Sequence, residues 1–245
     1  MTQIGTKYEN YFSAHRSFEE NLRPGEPSWI RELRELALRQ FSKIGLPTTR
    51  RGNEKWKYTN ISPIANSEFA YHAATRTKKL NVDDIKFSIP WDDDWINMVF
   101  LDGCYSSELS AEPKGVDGVT VGNLYDAIVR EETDVVRNLS KQIDLKEDGF
   151  SSLNTAFLKD GAFVKIEEGR NVEVPVNIVF ATSGDSSPTV SFPRVLVVLD
   201  PRSKITLIES YVSLSGNRHF TSPVTEINIG EESNVKHYRI LAENE

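Results

Sequence analysis

"DPRSKITLIESY" occupies Asp200–Tyr211, and "GEESNVKHYRIL" occupies Gly230–Leu241, 30 positions further on. Each opens on turn residues, places a serine next (Ser203 and Ser233), and then alternates along a strand-like run. "EGRNVEVPVNIV", residues 168–179, echoes the unit loosely about one period upstream. Around these lie further strand-like segments: Ala162–Glu167, Val176–Thr182, Arg194–Leu199, Lys204–Glu209, Val224–Ile229 and Asn234–Ile240. They are rich in Val, Ile and Phe, many are separated by Gly, Pro, Asp or Ser, and no helical pattern falls between them. A recurring turn–serine–strand unit predicts coils of a parallel β-helix, in which each coil buries its apolar face on its neighbours. A β-sandwich is the competing reading of the same strands.

The pattern changes upstream of Gly161. Tyr8, Tyr11, Phe12, His15, Phe18 and Leu22 recur at three- and four-residue steps, one face of a helix. Pro24-Gly25 and Pro27 interrupt it. Ser28 reads as the N-cap of a second helix, whose apolar stripe is Trp29, Ile30, Leu33, Ala37, Phe41 and Ile44. Gly45 supplies a left-handed C-terminal position and Pro47 stops the helix. Residues 48–89 are mixed and polar. Trp95–Leu101 and Gly118–Val121 read as strands, and Leu124, Ala127, Ile128 and Val135 as helix. Residues 140–150 read as a linker, and 153–158 as a short helix before the Asp160-Gly161 turn. The expectation is a mainly β chain: a helical and mixed α+β region over 1–150, then a partial parallel β-helix over 151–245.

The composition narrows the function classes. The 245 residues are 38% hydrophobic and 27% charged, enough to bury a core without staples. Cys104 is the only cysteine, so no intrachain disulfide or all-cysteine metal site can form, which fits a reducing, cytoplasmic setting. No signal-peptide pattern opens the chain, and no run of about 18 apolar residues predicts a membrane span. The net charge of −7 is uneven. Residues 1–61 carry 11 Lys/Arg against 7 Asp/Glu, a balance of +4 that leaves −11 on the remainder. An acidic body argues against broad nucleic-acid binding.

Most catalytic signatures are missing. There is no phosphate-binding GxxxxGK[ST] loop, no GxGxxG, no HExxH and no GxSxG. His15, His72, His219 and His237 include no pair at helical metal-ligand spacing; stacked coils could bring His219 and His237 together. Cys104 has no His or Lys nearby in sequence to activate it, which favours a small structural side chain. Asp92-Asp93-Asp94 lacks the spacing and glycine of a calcium loop and reads as a solvated turn. Glu209 and Glu226 are strand carboxylates whose convergence a carbohydrate-active β-helix enzyme would need, the alternative reading of the chain. "GLPTTRRGNEKWKYTN", residues 45–60, leaves two readings open. Arg50, Arg51, Trp56 and Tyr58 could bind phosphate or stack a base, or the two aromatics pack while the arginines stay solvated.

That last stretch carries a resemblance. Leu46, Pro47, Thr49, Arg50, Glu54, Trp56, Lys57, Tyr58 and Thr59 match a signature of the SufB/SufD family, in particular its SufD-like members, which serve the SUF system of iron–sulfur cluster assembly. Gly52-Asn53 stands where acidic residues are more usual. "MVFLDGCYSSELS" (98–110), "GVTVGNLYDAI" (118–128), "LNTAFLKDGAFVKIEEG" (153–169) and "HFTSPVTEINIGEESNVKHYRI" (219–240) resemble family landmarks in the same order. The resemblance implies a helical N-terminal region followed by a right-handed parallel β-helix. It implies a non-enzymatic scaffold that partners SufB and the ATPase SufC, with a SufD homodimer as another pairing. It also implies a transient Fe–S cluster and a reduced flavin associated with the complex, with no cofactor expected on this part. The family continues beyond Glu245, so the chain is expected to be an N-terminal fragment or a truncated product. The main partner surfaces and cluster-forming residues are implied to lie downstream. No catalytic, metal or cofactor residue is therefore carried over to any position here.

Overall fold

The 30-residue repeat is a stacking register. In the computed structural model, which describes residues 8–22, 25–48, 54–67, 69–71, 80–111, 116–183 and 188–243, Lys204 lies beside Asn234 and Arg194 beside Val224, in parallel. The elements run in the order α1 (Glu9–Glu20), α2 (Ser28–Ile44), a single 3-10 turn (Glu54–Trp56), α3 (Ser62–Ala65), β1 (Ala70–Tyr71), α4 (Val82–Lys86), β2 (Ile96–Leu101), β3 (Cys104–Tyr105) and β4 (Val119–Asn123). Then come α5 (Leu124–Val129), α6 (Thr133–Asn138) and α7 (Gly149–Ala156). Eight strands finish the described chain: β5 (Ala162–Ile166), β6 (Val176–Thr182), β7 (Thr189–Ser191), β8 (Arg194–Leu199), β9 (Lys204–Ser213), β10 (His219–Thr221), β11 (Val224–Ile229) and β12 (Asn234–Ala242).

Three sheets result, ordered β1-β7-β10, β11-β8-β5-β4 and β12-β9-β6-β2-β3. The chain visits them in rotation: β7, β8 and β9 fall in the first, second and third sheet, and β10, β11 and β12 repeat the sequence. Among the described strands all pairings are parallel except β2 with β3 and β4 with β5. Two strands from the first half extend these sheets: β2 runs parallel to β6, and β4 runs antiparallel to β5.

The turns explain why the repeat is readable. Arg202 and Glu232 both have φ near +60°, and Gly169 has φ +71°. The isolated bridge between Asn171 and Lys204 aligns Gly169 with Arg202, so all three repeats bend through one left-handed residue at the same corner. Ser203 and Ser233 both donate their hydroxyls to the Asp200 carbonyl, at 2.7 and 2.8 Å, and Ser233 Oγ accepts the Ser203 N–H at 3.0 Å. The serine of the repeat thus satisfies backbone groups that the corner leaves out of the sheets. The offset is 33 residues at Asn171–Lys204 but 31 at Val176–Leu207. Two extra residues between those points make the "EGRNVEVPVNIV" echo loose.

Alternation along each strand separates two apolar faces. Inward residues of the second and third sheets, among them Val164, Val195, Val197, Ile178, Ile205 and Leu207, form one core. Outward residues are also apolar, and the helices cover them. Phe163, Leu196 and Val198 pack under Ile30 of α2, Leu124 and Ile128 of α5, and Val135 of α6. Val99, Val179 and Val212 pack under Ile85, Ile89 and Leu109. Tyr8, Tyr11, Phe41, Leu153 and Phe157 form a further cluster with Val190 and Phe192. A sheet apolar on both faces needs a layer on each. The fold is therefore mixed α/β with parallel strands in sheets and a helical N-terminal region, which corrects the mainly β expectation. No helix appears among the described residues after Ala156. Among the described residues no helix is long and apolar enough to cross a membrane.

Two details of the helical layer differ from the sequence reading. Ser28 is the first residue of α2 rather than its cap; Pro27 precedes it and no side chain caps the helix. Arg34, fully buried in α2, is bound at 2.5 and 2.9 Å by Glu26 and donates to the Leu158 carbonyl at 2.6 Å. That contact ties α2 to the segment entering β5. Gly45 does end α2, at φ +64°, with its N–H on the Phe41 carbonyl. Its carbonyl packs against Gly149 at the start of α7, where a Cβ would overlap it. Gly149→Ala is expected to force the two helices apart and to destabilise the chain by about 1–3 kcal/mol, read as a lower urea midpoint with an unchanged slope.

Candidate functional site

Glu209 is the exception in an apolar row. Ile205, Leu207 and Tyr211 share its face of β9 and belong to the inner core, yet Glu209 is completely buried. Register brings its partners. Arg239 lies directly opposite on β12, and His237 two residues before it. Glu209 meets His237 Nε2 at 2.8 Å and accepts from Tyr211 Oη at 2.7 Å, Thr225 Oγ1 at 2.9 Å and Arg239 Nη2 at 3.3 Å. Burial by itself raises its pKa. The hydrogen bonds from His237 and Tyr211, with the Arg239 charge, outweigh burial and hold the carboxyl below its usual range. Burial beside this carboxylate keeps the Tyr211 phenol protonated. The result is an ionised hub, suited to joining three strands and unsuited to donating a proton.

Glu226 does not join it. Thr225 faces Glu209, so the next residue faces the opposite side of β11. There Glu226, equally buried, binds Arg194 Nη2 at 2.8 Å and accepts the backbone N–H groups of Ser140 and Gln142 at 2.9 and 3.3 Å. Paired-carboxylate hydrolysis needs both groups to face one substrate. Here each faces its own cation on its own side of a strand, which removes the carbohydrate-enzyme alternative. The same contacts show that 140–142, within the expected linker, is docked on β11.

The remaining candidates scatter. His15 is a core histidine: its Nε2 sits 3.0 Å from the Ala156 carbonyl, and its ring packs against Phe18 and Phe157. Burial lowers its proton affinity below the ordinary imidazole value, against the pull of Glu19. His219 and His237 have separate carboxylate partners, Glu243 at 3.1 Å and Glu209. His72, Arg50 and Arg51 lie outside the described residues. Asp93 holds Lys86 and the Trp91 indole N–H, and Asp92 accepts the Asp94 N–H, a surface turn as expected. Among the described residues no three His, Cys, Asp or Glu side chains gather where they could hold a metal ion. Trp56 packs on Phe150 at 5.4 Å between ring centroids, but Tyr58 is 91% exposed. The single turn that ends at Trp56 directs that ring inward and leaves Tyr58 outside, so packing holds for one aromatic and fails for the other.

A second constellation was not visible in the sequence. The end of α1, the β2–β3 hairpin, the β4–α5 junction and the turn before β5 enclose a cavity of about 140 Å³. Cys104 and Asp160 both line it. Asp160 accepts the N–H groups of Tyr105 and Gly161 at 3.0 and 2.7 Å and the Asn123 side-chain amide at 2.6 Å. Burial pushes its carboxyl up to about 6, with those donors opposing. The sequence signals were only two ordinary Asp-Gly turns, at 102–103 and 160–161.

Comparison with known proteins divides the chain near residue 179, within β6. Residues 3–178 match the model described as the SufBD protein N-terminal region, and residues 180–245 match the SUF system FeS cluster assembly, SufBD core domain. The chain belongs to the SufBD family. It is 28% identical over 222 residues to an iron–sulfur cluster assembly SufBD family protein of Synechocystis, covering 87% of this chain and 48% of that protein. It is 25% identical to the iron–sulfur cluster assembly protein SufD of Escherichia coli, covering 84% and 45%. Against the Bacillus subtilis protein of the same name the identity is 24%, covering 95% and 52%. The chain spans about half the length of these curated relatives.

Two stability measurements test the geometry. Glu226→Ala leaves the buried Arg194 charge uncompensated and is expected to cost about 3–5 kcal/mol in urea unfolding. Asp160 binds its proton more tightly folded than unfolded, so its contribution is present near pH 4 and is lost as pH rises to about 6. Asp160→Asn is expected to remove that fall, up to about 3 kcal/mol at about 1.4 kcal/mol per tenfold change in proton affinity. Parallel pH–stability curves for both proteins would contradict the assignment.

Proposed function

We propose that the chain is the N-terminal half of a SufD-like, non-catalytic scaffold subunit of iron–sulfur cluster assembly, acting in the cytoplasm. The observation that carries this reading is the order of the matches: N-terminal-region model, then core-domain model, with SufD proteins among the relatives. The three-sheet rotation with offsets of 30–33 residues supports a partial parallel β-helix as the core. Right-handed winding is the expectation for parallel strands joined by crossovers. A scaffold role agrees with carboxylates that are paired with built-in arginines rather than aimed at a substrate.

In this reading the partners are SufB and SufC, or a second SufD, and the full-length protein engages them mainly through its second half. The Fe–S cluster is cargo of the whole complex. No residue of this half is assigned to the cluster or to a reduced flavin. The cavity beside Cys104, at about 140 Å³, is small against the roughly 300–1,000 Å³ of cofactor pockets.

The full-length gene co-expressed with SufB and SufC is expected to yield a complex that survives affinity purification and gel filtration. Full-length protein that purifies alone, with both partners soluble in the same cells, would overturn the assignment.

A further inference from the structure

The cavity at the β2–β3 hairpin gathers opposite charges that the protein does not pair. Lys159 and Asp160 both line it, with Asp126 as a second carboxylate. Neither Lys159 nor Asp160 has an ion-pair partner among the described residues. Four N–H donors, the backbones of Tyr105, Tyr125 and Gly161 and the Asn123 amide, fix the Asp160 carboxylate, but none of them carries a charge. A buried carboxylate stabilised by neutral donors alone lacks a countercation, which is why burial dominates its proton affinity. Lys159 lines the same concave site and has no ion-pair partner among the described residues. Leu22 and the aromatic residues Tyr105 and Tyr125 complete the wall.

A ligand that supplies both missing charges is a zwitterion. Size restricts it further: about 140 Å³ lies below the roughly 300–1,000 Å³ of sites for drug- or cofactor-sized ligands. That space admits an amino acid with a side chain of one or two heavy atoms. We propose that this cavity binds a small free α-amino acid, its ammonium on Asp160, its carboxylate on Lys159 and its short side chain against Leu22, Tyr105 and Tyr125. The site is separate from the Glu209 hub and does not depend on the assembly role.

Titration of the ¹⁵N-labelled chain with L-alanine, followed by backbone NMR shifts at Tyr105, Asn123 and Gly161, tests this. Acetate and methylammonium serve as probes that each carry one of the two charges. Alanine is expected to saturate in the millimolar range, with each single-charge probe at least about tenfold weaker. Lys159→Met, at a partly exposed position, is expected to keep the fold and weaken alanine at least about tenfold. The other titrating groups on the wall are Cys104, Tyr105, Tyr125, Asp126 and Lys159. Affinity is expected to rise about tenfold from pH 5 to pH 7 as Asp160 ionises. No saturation by about 50 mM alanine, equal binding of alanine and methylammonium, or an unchanged affinity in Lys159→Met would each overturn the proposal.

Discussion

The structure depends on one buried ion pair. Arg194 opens β8 and is wholly inaccessible to water. Besides Glu226 it binds Ser140 Oγ at 2.6 Å, Asn154 Oδ1 at 2.9 Å and Thr155 Oγ1 at 3.3 Å. Burial works against its charge, and Glu226 opposes that effect. These contacts join four separate pieces: two successive strands of the second sheet, helix α7 and the segment before it. Asn154 extends the network by donating to the carbonyls of Pro193 and Ser222, at 2.9 and 2.7 Å. Those carbonyls sit where the chain enters β8 and β11. The helical layer is thus registered to the sheet at the entries to two neighbouring strands. Apolar packing of α2, α5 and α6 could slide along the sheet; hydrogen bonds with fixed partners cannot.

Much of the sheet region was legible. Five of the six strand segments read from Ala162 onward fall within two residues of observed ends, and Lys204–Glu209 continues as β9 to Ser213. Their alternation is complete because one face meets the inner core and the other meets a helical layer or solvent. The repeat was legible for a local reason: a left-handed corner and a serine recur together. Arg202 and Glu232 occupy that corner without being glycine, so a search for glycine punctuation alone would have missed it. The two long N-terminal helices were legible from their stripes and from Gly45. The short helices were less so, since four to six residues carry barely one turn of periodicity.

Pairing between the halves was not legible. β2 and β4 read as strands, but nothing local says that β2 runs parallel to β6 or β4 antiparallel to β5. The Arg194–Glu226 pair spans 32 positions, and Asp160 finds Tyr105 from 55 positions away. Such partners are chosen by stacking geometry, which the sequence encodes only through the fold. Glu209 and Glu226 show the limit clearly. Both were found as strand carboxylates, and their wrong grouping came from not knowing which face of β11 each would meet.

The inner polar hub has a consequence for register. Apolar rows of Val, Ile and Leu tolerate exchange, so the inner core alone discriminates weakly between alignments of neighbouring strands. Glu209 does not tolerate it. Its carboxylate is satisfied only when β12 places Arg239 opposite and β11 places Thr225 inward. A slip of β12 by one residue would turn His237 and Arg239 to the outer face and leave a buried carboxylate short of two of its partners. The cost of that state is several times the gain from any single apolar contact. The single charged side chain within the inner row therefore selects the register that the apolar residues merely permit.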